Sequence, residues 1–196
     1  MEMQTIKHLE LCNAAWKATR MPFVVADLET TGLWPNQDEI LEFAAVHVDP
    51  AGVIESEFSM LVRSSQPVPN FITQLTGITQ DEVDRKGRPL VVAMTKFLAF
   101  IGSRPVFFHN ASFDESFIKQ NVERTGQRFI NPVHDTLQIT RFVWPKRKTY
   151  KLDALAELVG VSTPPHRALA DAKAALSVLL AARTKAKVCN IAGYYD

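Results

Sequence analysis

Short apolar runs along the chain predict strands. The segments "FVVADLE", "EILEFAAVHVD" and "VIESEFSMLV" are strand-like, and the first is continuously apolar at its start. The turn sequence "DPAG" separates the last two, which are therefore predicted to pair as a hairpin. "PVFFHN" predicts a fourth, buried strand, and "PVHDTLQITRFVW" predicts a short strand that runs into a helix.

Apolar positions at helical spacing predict the remaining elements. The helices are expected at residues 5–19 and in "RPLVVAMTKFLAFIG", "SFDESFIKQNVERTG", "KLDALAELVG" and "HRALADAKAALSVLLAARTKAK", with short helical pieces in "NFITQLTGITQDEVD". This order predicts an α/β domain with a mixed sheet, rich in hairpins in its first half and in crossover helices in its second. Functional sites of such sheets lie beyond the carboxyl ends of the strands, where "DLE" and "FHN" are found.

Composition narrows the class of protein without choosing a ligand. The 196 residues are predicted to form one domain, and 22 basic residues nearly balance 21 acidic ones. Any surface that attracts nucleic acid must therefore be local. Cys12 and Cys189 lie far apart, which argues against a disulfide framework and favours a reducing compartment. The charged amino terminus is not typical of a secretory signal and no run is long enough to cross a membrane, so the cytoplasm is the predicted location.

The first chemical signal is the pair of acids that ends the first strand. Side chains alternate along a strand, so Asp27 and Glu29 point to the same side. Two carboxylates that close repel each other unless a cation compensates them, and oxygen ligands suit Mg²⁺ or Mn²⁺. Taken alone, however, the pair is explained more simply by two solvated acids at an exposed strand end.

Two further signals occur later in the chain. Asp114 follows the strand "PVFFHN" and lies in the first turn of a helix that Ser112 is predicted to cap, where the helix dipole alone would favour an acid. His166 follows Pro164–Pro165, which prevent a helix from running through, and Asp171 lies in the early turns of the last helix. Viewed separately, His166 is explained as a polar loop residue and Asp171 as a surface acid.

The order and sequence context of these three signals are stronger evidence for a function than any one signal alone. The segments "DLETTG", "HNASFD" and "HRALADA" resemble the three motifs of the DEDDh branch of the 3′–5′ exonucleases. Smaller matches are "LTGIT", "HDT" and "KLDALAELVG". Together they span about residues 23 to 182, so one exonuclease domain is expected over 1–196, with its core at about 21–185 and a short N-terminal helix and C-terminal tail outside the match.

The resemblance implies a fold, a cofactor and a set of roles. The fold would be RNase H-like, a mixed five-stranded sheet flanked by helices. Asp27, Glu29, Asp114 and Asp171 would bind two divalent cations, Mg²⁺ or Mn²⁺, and His166 would be the general base. Two such ions suit phosphodiester hydrolysis because they activate water and stabilise the leaving oxygen together. The products would be nucleoside 5′-monophosphates.

Candidate substrate-binding residues follow from the same resemblance. Thr30, Thr31 and Gly32 would contact the terminal nucleotide, or form a plain turn in which Gly32 supplies a positive φ. Leu75 and Ile78 would pack against the terminal base, although core packing is the simpler explanation for either residue. Independently of the resemblance, Phe113 and Trp34 are candidates for stacking on bases, although an aromatic residue beside a turn more often has a core or rim position.

A basic segment, "RFVWPKRKTYK", is a local concentration of positive charge in a chain whose charges otherwise nearly balance. It contains Arg141, Lys146, Arg147, Lys148 and Lys151, and it either follows the phosphates of an entering strand or is a solvated loop.

Three functional hypotheses remain open on the sequence. The leading one is an exonuclease that acts on the free 3′ end of single-stranded or frayed DNA. Its biological role would be proofreading, with a DNA polymerase as its protein partner. The second keeps the chemistry and changes the substrate to RNA. The third is a catalytically silent module that binds nucleic acid or a polymerase, and it is disfavoured because all five chemical positions are filled. No oligomeric state is predicted.

Overall fold

The computed structural model describes residues 2–162 and 166–188, and in these ranges eight helices surround one five-stranded sheet. The strands are β1 (Phe23–Thr30), β2 (Ile40–Val48), β3 (Ile54–Leu61), β4 (Val106–Phe108) and β5 (Val133–Asp135). The helices are α1 (Glu2–Ala18), α2 (Asn70–Thr76), α3 (Gln80–Lys86), α4 (Leu90–Ile101), α5 (Ala111–Thr125), α6 (Thr136–Val143), α7 (Leu152–Leu158) and α8 (Ala168–Val188). The predicted break at Pro164–Pro165 and the predicted tail at 189–196 lie outside these ranges.

The sheet is mixed, as the order of elements predicts. Its strand order is β3-β2-β1-β4-β5. Strands β1, β2 and β3 pair antiparallel, and the predicted hairpin of β2 and β3 is confirmed. Strand β4 pairs in parallel with β1, and β5 pairs in parallel with β4. Parallel pairing of this kind requires crossover connections, which contain helices in this chain. The ends of β1 and β4 therefore open onto the same edge of the sheet.

Alternation along β1 divides the core into two clusters. Val24, Ala26 and Leu28 face a cluster built with α4 and α5. Phe23 and Val25 face the opposite cluster, built with α1, α6 and α8. Asp27 and Glu29 continue the second series, so the strand that fills the core also aims both carboxylates toward α8.

The start of α5 differs from the sequence prediction. Ser112 does not cap this helix; the preceding position is Asn110, whose backbone is left-handed (φ 69°) and whose side chain makes no capping bond. Asparagine tolerates this conformation better than most residues. The sharp turn ends β4 and places Asp114 in the first turn of α5, directly beside β1. Among the described residues, no helix is both long and apolar enough to cross a membrane.

Candidate active site

Three carboxylates meet where β1 ends and α8 begins. Asp27 and Glu29 come from β1, and Asp171 comes from the first turn of α8, which packs across that strand. Each residue offers a carboxylate oxygen, and these oxygens all lie within 4.8 Å of one another. The predicted convergence of these three side chains is therefore present in the structure.

The fourth predicted acid approaches from the other side. Asp114 is 2% exposed, and its carboxylate accepts hydrogen bonds from the backbone of Asp114 itself and of Leu28. It lies outside the 4.8 Å group, but its charge has a larger effect on the pKa of Asp27 than that of Glu29 has. Asp27 is thus the acid that neighbours both Asp114 and the group formed with Glu29 and Asp171.

Burial and mutual repulsion raise the pKa values of all four acids. Burial raises the pKa of Glu29 to about 8, with the charge of Asp171 as the next cause. Burial also raises the pKa of Asp171 to about 6, although His166 opposes the rise. Asp27 and Asp114 are raised well above the usual pKa of an aspartate by burial first. In the metal-free protein, then, the cluster resists full ionisation.

The donor set fits divalent cations. The Asp114 Oδ1 atom is buried and has no hydrogen-bond partner among the described residues. A buried oxygen without a partner costs free energy, and a carboxylate oxygen is the ligand that Mg²⁺ and Mn²⁺ prefer. A cation at this position would satisfy Oδ1 and reverse the repulsion that raises the pKa values nearby.

His166 lies just before α8, as predicted. Its imidazole is half-exposed, and its Nδ1 atom is 3.8 Å from Oδ2 of Asp171, beyond hydrogen-bond distance. The irregular backbone before the helix allows the side chain to reach toward an acid five positions later, which an ideal helix would not. His166 thus borders both the acid cluster and solvent.

An ion pair beside this histidine is absent from the sequence prediction. Arg167 binds Glu42 of β2 through two nitrogens, with Nε to Oε2 at 3.0 Å and Nη2 to Oε1 at 3.1 Å. Glu42 is 1% exposed, accepts a further hydrogen bond from Ser59 and lies opposite Glu29 in the strand register. The one signal available was Glu42 itself, a lone acid in the apolar run "ILEFAAV".

The turn after β1 is built around one aspartate. The Thr31 hydroxyl and the backbone N–H of Trp34 both donate to the carboxylate of Asp38. The Thr30 hydroxyl donates to the carbonyl of Gly32 at 2.6 Å. The expectation that Gly32 supplies a positive φ is wrong, since its φ is not in that region. A Cβ at this position would lie 2.5 Å from the Asp38 carboxylate, so a larger residue would displace that side chain and the hydrogen bonds it accepts.

The predicted base-contacting residues occupy different environments. Ile78 is fully buried, in a cluster with Leu41 and Ile72, which leaves it no surface for a base. Leu75 is 47% exposed, so core packing does not explain it. Phe113 is partly buried against Phe117, with ring centroids 5.0 Å apart. Trp34 is 64% exposed at the rim of the β1–β2 turn.

Comparison with known proteins decides the family. The family model described as "Exonuclease" matches residues 24–179, which include all four acids and His166. The chain belongs to this exonuclease family. The resemblance on which the sequence interpretation depends is thereby confirmed.

Similar proteins include large bacterial polymerases. The chain is 39% identical over 159 residues to a DNA polymerase III PolC-type of Clostridium perfringens and 41% identical over 160 residues to one of Caldanaerobacter subterraneus. These matches cover 80% and 81% of this exonuclease-family chain but only 11% of each relative. The similarity is therefore to a small segment of each polymerase.

The fold itself is shared with solved exonucleases. The chain superposes on E. coli exonuclease I in a zinc-bound complex with single-stranded DNA, with a TM-score of 0.74, 18% identity and coverage of 89% of this chain and 42% of that one. A complex of the same enzyme with a dT13 oligonucleotide gives a TM-score of 0.75 at 19% identity, over 87% and 42% of the two chains. The predicted RNase H-like fold is confirmed.

Proposed function

We propose that the chain is a metal-dependent exonuclease that removes nucleoside 5′-monophosphates from the 3′ end of DNA. The observation that carries this proposal is the convergence of Asp27, Glu29 and Asp171 within 4.8 Å, with the unpartnered Oδ1 of Asp114 beside them. Four partly or fully buried acids are costly to ionise without cations. Once ionised, the four acids could bind divalent cations that act on a phosphodiester.

The four acids would hold two divalent cations, Mg²⁺ or Mn²⁺. Asp27 neighbours both Asp114 and the Glu29–Asp171 side of the cluster, so it is the residue best placed to contact both ions. Bound there, the ions would supply activation of the attacking water and stabilisation of the leaving 3′-oxygen. Asp114 is held by α5 and Asp171 by α8, so two separate helices fix the ligands against β1.

His166 would take the proton of the attacking water. Its imidazole borders the acid cluster and is half-exposed, so it reaches both the reacting water and bulk solvent. A neutral imidazole is suited to this role because its free ring nitrogen accepts a proton. At 3.8 Å from Oδ2 of Asp171, its Nδ1 atom is not committed to a hydrogen bond with that carboxylate.

The turn after β1 and the second helix supply contacts for the terminal nucleotide. Thr30 and Thr31 turn their hydroxyls inward, so backbone groups around Gly32 are the parts of this turn left to face a nucleotide. Leu75 presents an exposed apolar side chain suited to a base. Phe113 is a secondary candidate because it is partly buried.

The named relatives favour DNA as the substrate. The solved structures are complexes with single-stranded DNA, and the curated relatives are DNA polymerases. By this analogy the substrate is a single-stranded or frayed 3′ end, and the biological setting is proofreading beside a DNA polymerase.

The test is cleavage of oligonucleotides that carry a 5′ label, supplied as DNA or as RNA of matched sequence. We expect DNA to shorten from its 3′ end with Mg²⁺ or Mn²⁺, to release 5′-monophosphates, and to stay intact with EDTA. A mismatched primer end should shorten faster than a paired one. Faster cleavage of RNA than of DNA would show that RNA is the substrate. Cleavage that persists in EDTA would contradict the metal-dependent mechanism. If neither strand is cleaved, the result would favour the catalytically silent module.

A further inference from the structure

The basic segment from Arg141 to Lys151 runs from the end of α6 to the start of α7, and a single tyrosine organises it. The Tyr150 hydroxyl donates to the carbonyl of Trp144 at 2.7 Å and accepts the backbone N–H of Arg147 at 3.2 Å. The guanidinium of Arg141 lies over the same ring, 5.7 Å from its centroid. One side chain therefore closes the loop on itself and holds a cation of α6 beside it.

The loop is fixed to the second sequence motif through a histidine. Nε2 of His109 lies 2.9 Å from the carbonyl of Tyr150, and Nδ1 lies 2.9 Å from the Thr136 hydroxyl. A carbonyl can only accept, so Nε2 carries the proton and the hydroxyl donates to Nδ1. His109 is the residue that follows β4 and precedes the turn into α5, the helix that carries Asp114.

The same end of the loop is also held near the acids by α7. Helix α7 begins at Leu152 and packs on α8. Its Asp153 lies near enough to Asp171 to raise the pKa of that carboxyl. The carboxyl end of the loop is therefore held beside elements that carry site residues, and α6, which precedes the loop, also packs on α8.

The cations of this loop are available to a ligand. Arg141, Lys146, Lys148 and Lys151 are exposed, and among the described residues none of them forms an ion pair. Lys146 adopts a left-handed backbone (φ 64°), which is unfavourable for lysine and is maintained by the closed loop.

We infer that this loop is a binding surface for the phosphodiester backbone of the strand whose 3′ end enters the acid cluster. The inference depends on the proposed function for the location of that end. The cations attract phosphates that the acid cluster alone would repel, and they do so without reading the bases. Binding through this surface is therefore independent of sequence and weakens as salt rises.

The experiment measures the affinity of a fluorescein-labelled oligothymidylate by anisotropy at several salt concentrations, with Ca²⁺ replacing Mg²⁺. The test variant is Lys146→Gln with Lys148→Gln. The matched control, Lys17→Gln with Lys185→Gln, removes the same charge from exposed positions near the ends of α1 and α8, at the opposite end of β1. Each lost phosphate contact should reduce the slope of log affinity against log salt by about 0.7 for a single strand.

We expect the loop variant to lower that slope by about 1.4 and the control to leave it unchanged. Tyr150→Phe changes no charge but removes the hydroxyl that closes the loop, so it should weaken binding at low salt. Equal slopes for the loop variant and the parent, or equal losses in the loop variant and the control, would overturn the inference. Because binding is measured without cleavage, the result is separate from the test of the exonuclease activity.

Discussion

The two sides of the acid cluster hold their functional side chains in opposite ways. The β1 side places Asp27 and Glu29 on a central strand, with hydrogen-bonded neighbours on both edges. The α8 side brings His166 on an irregular segment, half-exposed and outside hydrogen-bond distance of Asp171. A cation site requires ligands whose geometry is fixed, whereas a proton acceptor has to reach water and then release the proton to solvent. The difference in rigidity therefore corresponds to the two roles that we propose.

Loss of a proposed metal ligand on β1 should cause the largest decrease in cleavage activity. We expect Asp27→Asn to reduce cleavage by at least about a thousandfold, because the variant removes the ligand that neighbours both halves of the cluster. Its melting temperature in EDTA should equal or exceed that of the parent, since a buried repulsive charge is lost. Cleavage assays and thermal melts check both parts, and parent-like turnover would disprove the assignment of Asp27.

Loss of His166 should impair proton transfer and leave the proposed cation site intact. We expect His166→Ala to lower kcat by about a hundredfold to ten-thousandfold, the usual contribution of a general base. Stabilisation of the fold by Mg²⁺ should match that of the parent, because the four acids remain. Single-turnover kinetics and melts with and without Mg²⁺ measure the two quantities. A kcat equal to that of the parent would remove His166 as the base.

The same contrast explains how much the sequence could predict. Strand alternation alone placed Asp27 and Glu29 on one side, because the period of a strand is fixed by its backbone. Asp114 and Asp171 could be joined to them only through the family resemblance, since the helices that carry them meet β1 by tertiary packing. The bond between Arg167 and Glu42 spans 125 positions, and no local pattern indicates it. Nor does a local pattern indicate that the Thr31 hydroxyl and the space beside Gly32 depend on Asp38, seven and six positions later.

The pH dependence of the free energy of unfolding tests whether the carboxyls of the acid cluster have raised pKa values. Carboxyls such as Glu29, with a pKa of about 8, and Asp171, with a pKa of about 6, bind more protons in the folded than in the unfolded metal-free protein. Their unfolded pKa values are near 4, so the free energy of unfolding should fall as pH rises from about 5 to about 8. The slope is about 1.4 kcal/mol per pH unit for each proton retained.

Urea unfolding in EDTA at several pH values measures this slope, and saturating Mg²⁺ should flatten it because the ion binds the ionised carboxylates. Glu29→Gln should also reduce the slope in EDTA. A metal-free stability that is constant or rises between about pH 5 and about pH 8 would contradict the pKa shifts.

The smallest expected effect comes from the ion pair that links the two sides of the cluster. Arg167 directly follows His166, and its bidentate bond to Glu42 fixes this segment against β2. Lysine keeps the charge but cannot form the paired bonds, so Arg167→Lys should lower kcat by about tenfold through misplacement of His166. The matched control is Lys173→Gln on α8, which breaks the exposed pair with Glu57 of β3 and should have almost no effect. Because Arg167 acts only through His166 in this account, adding Arg167→Lys to a His166→Ala background should cause little further loss of kcat. Independent, multiplicative losses in the double variant would instead assign Arg167 a separate role at the acids.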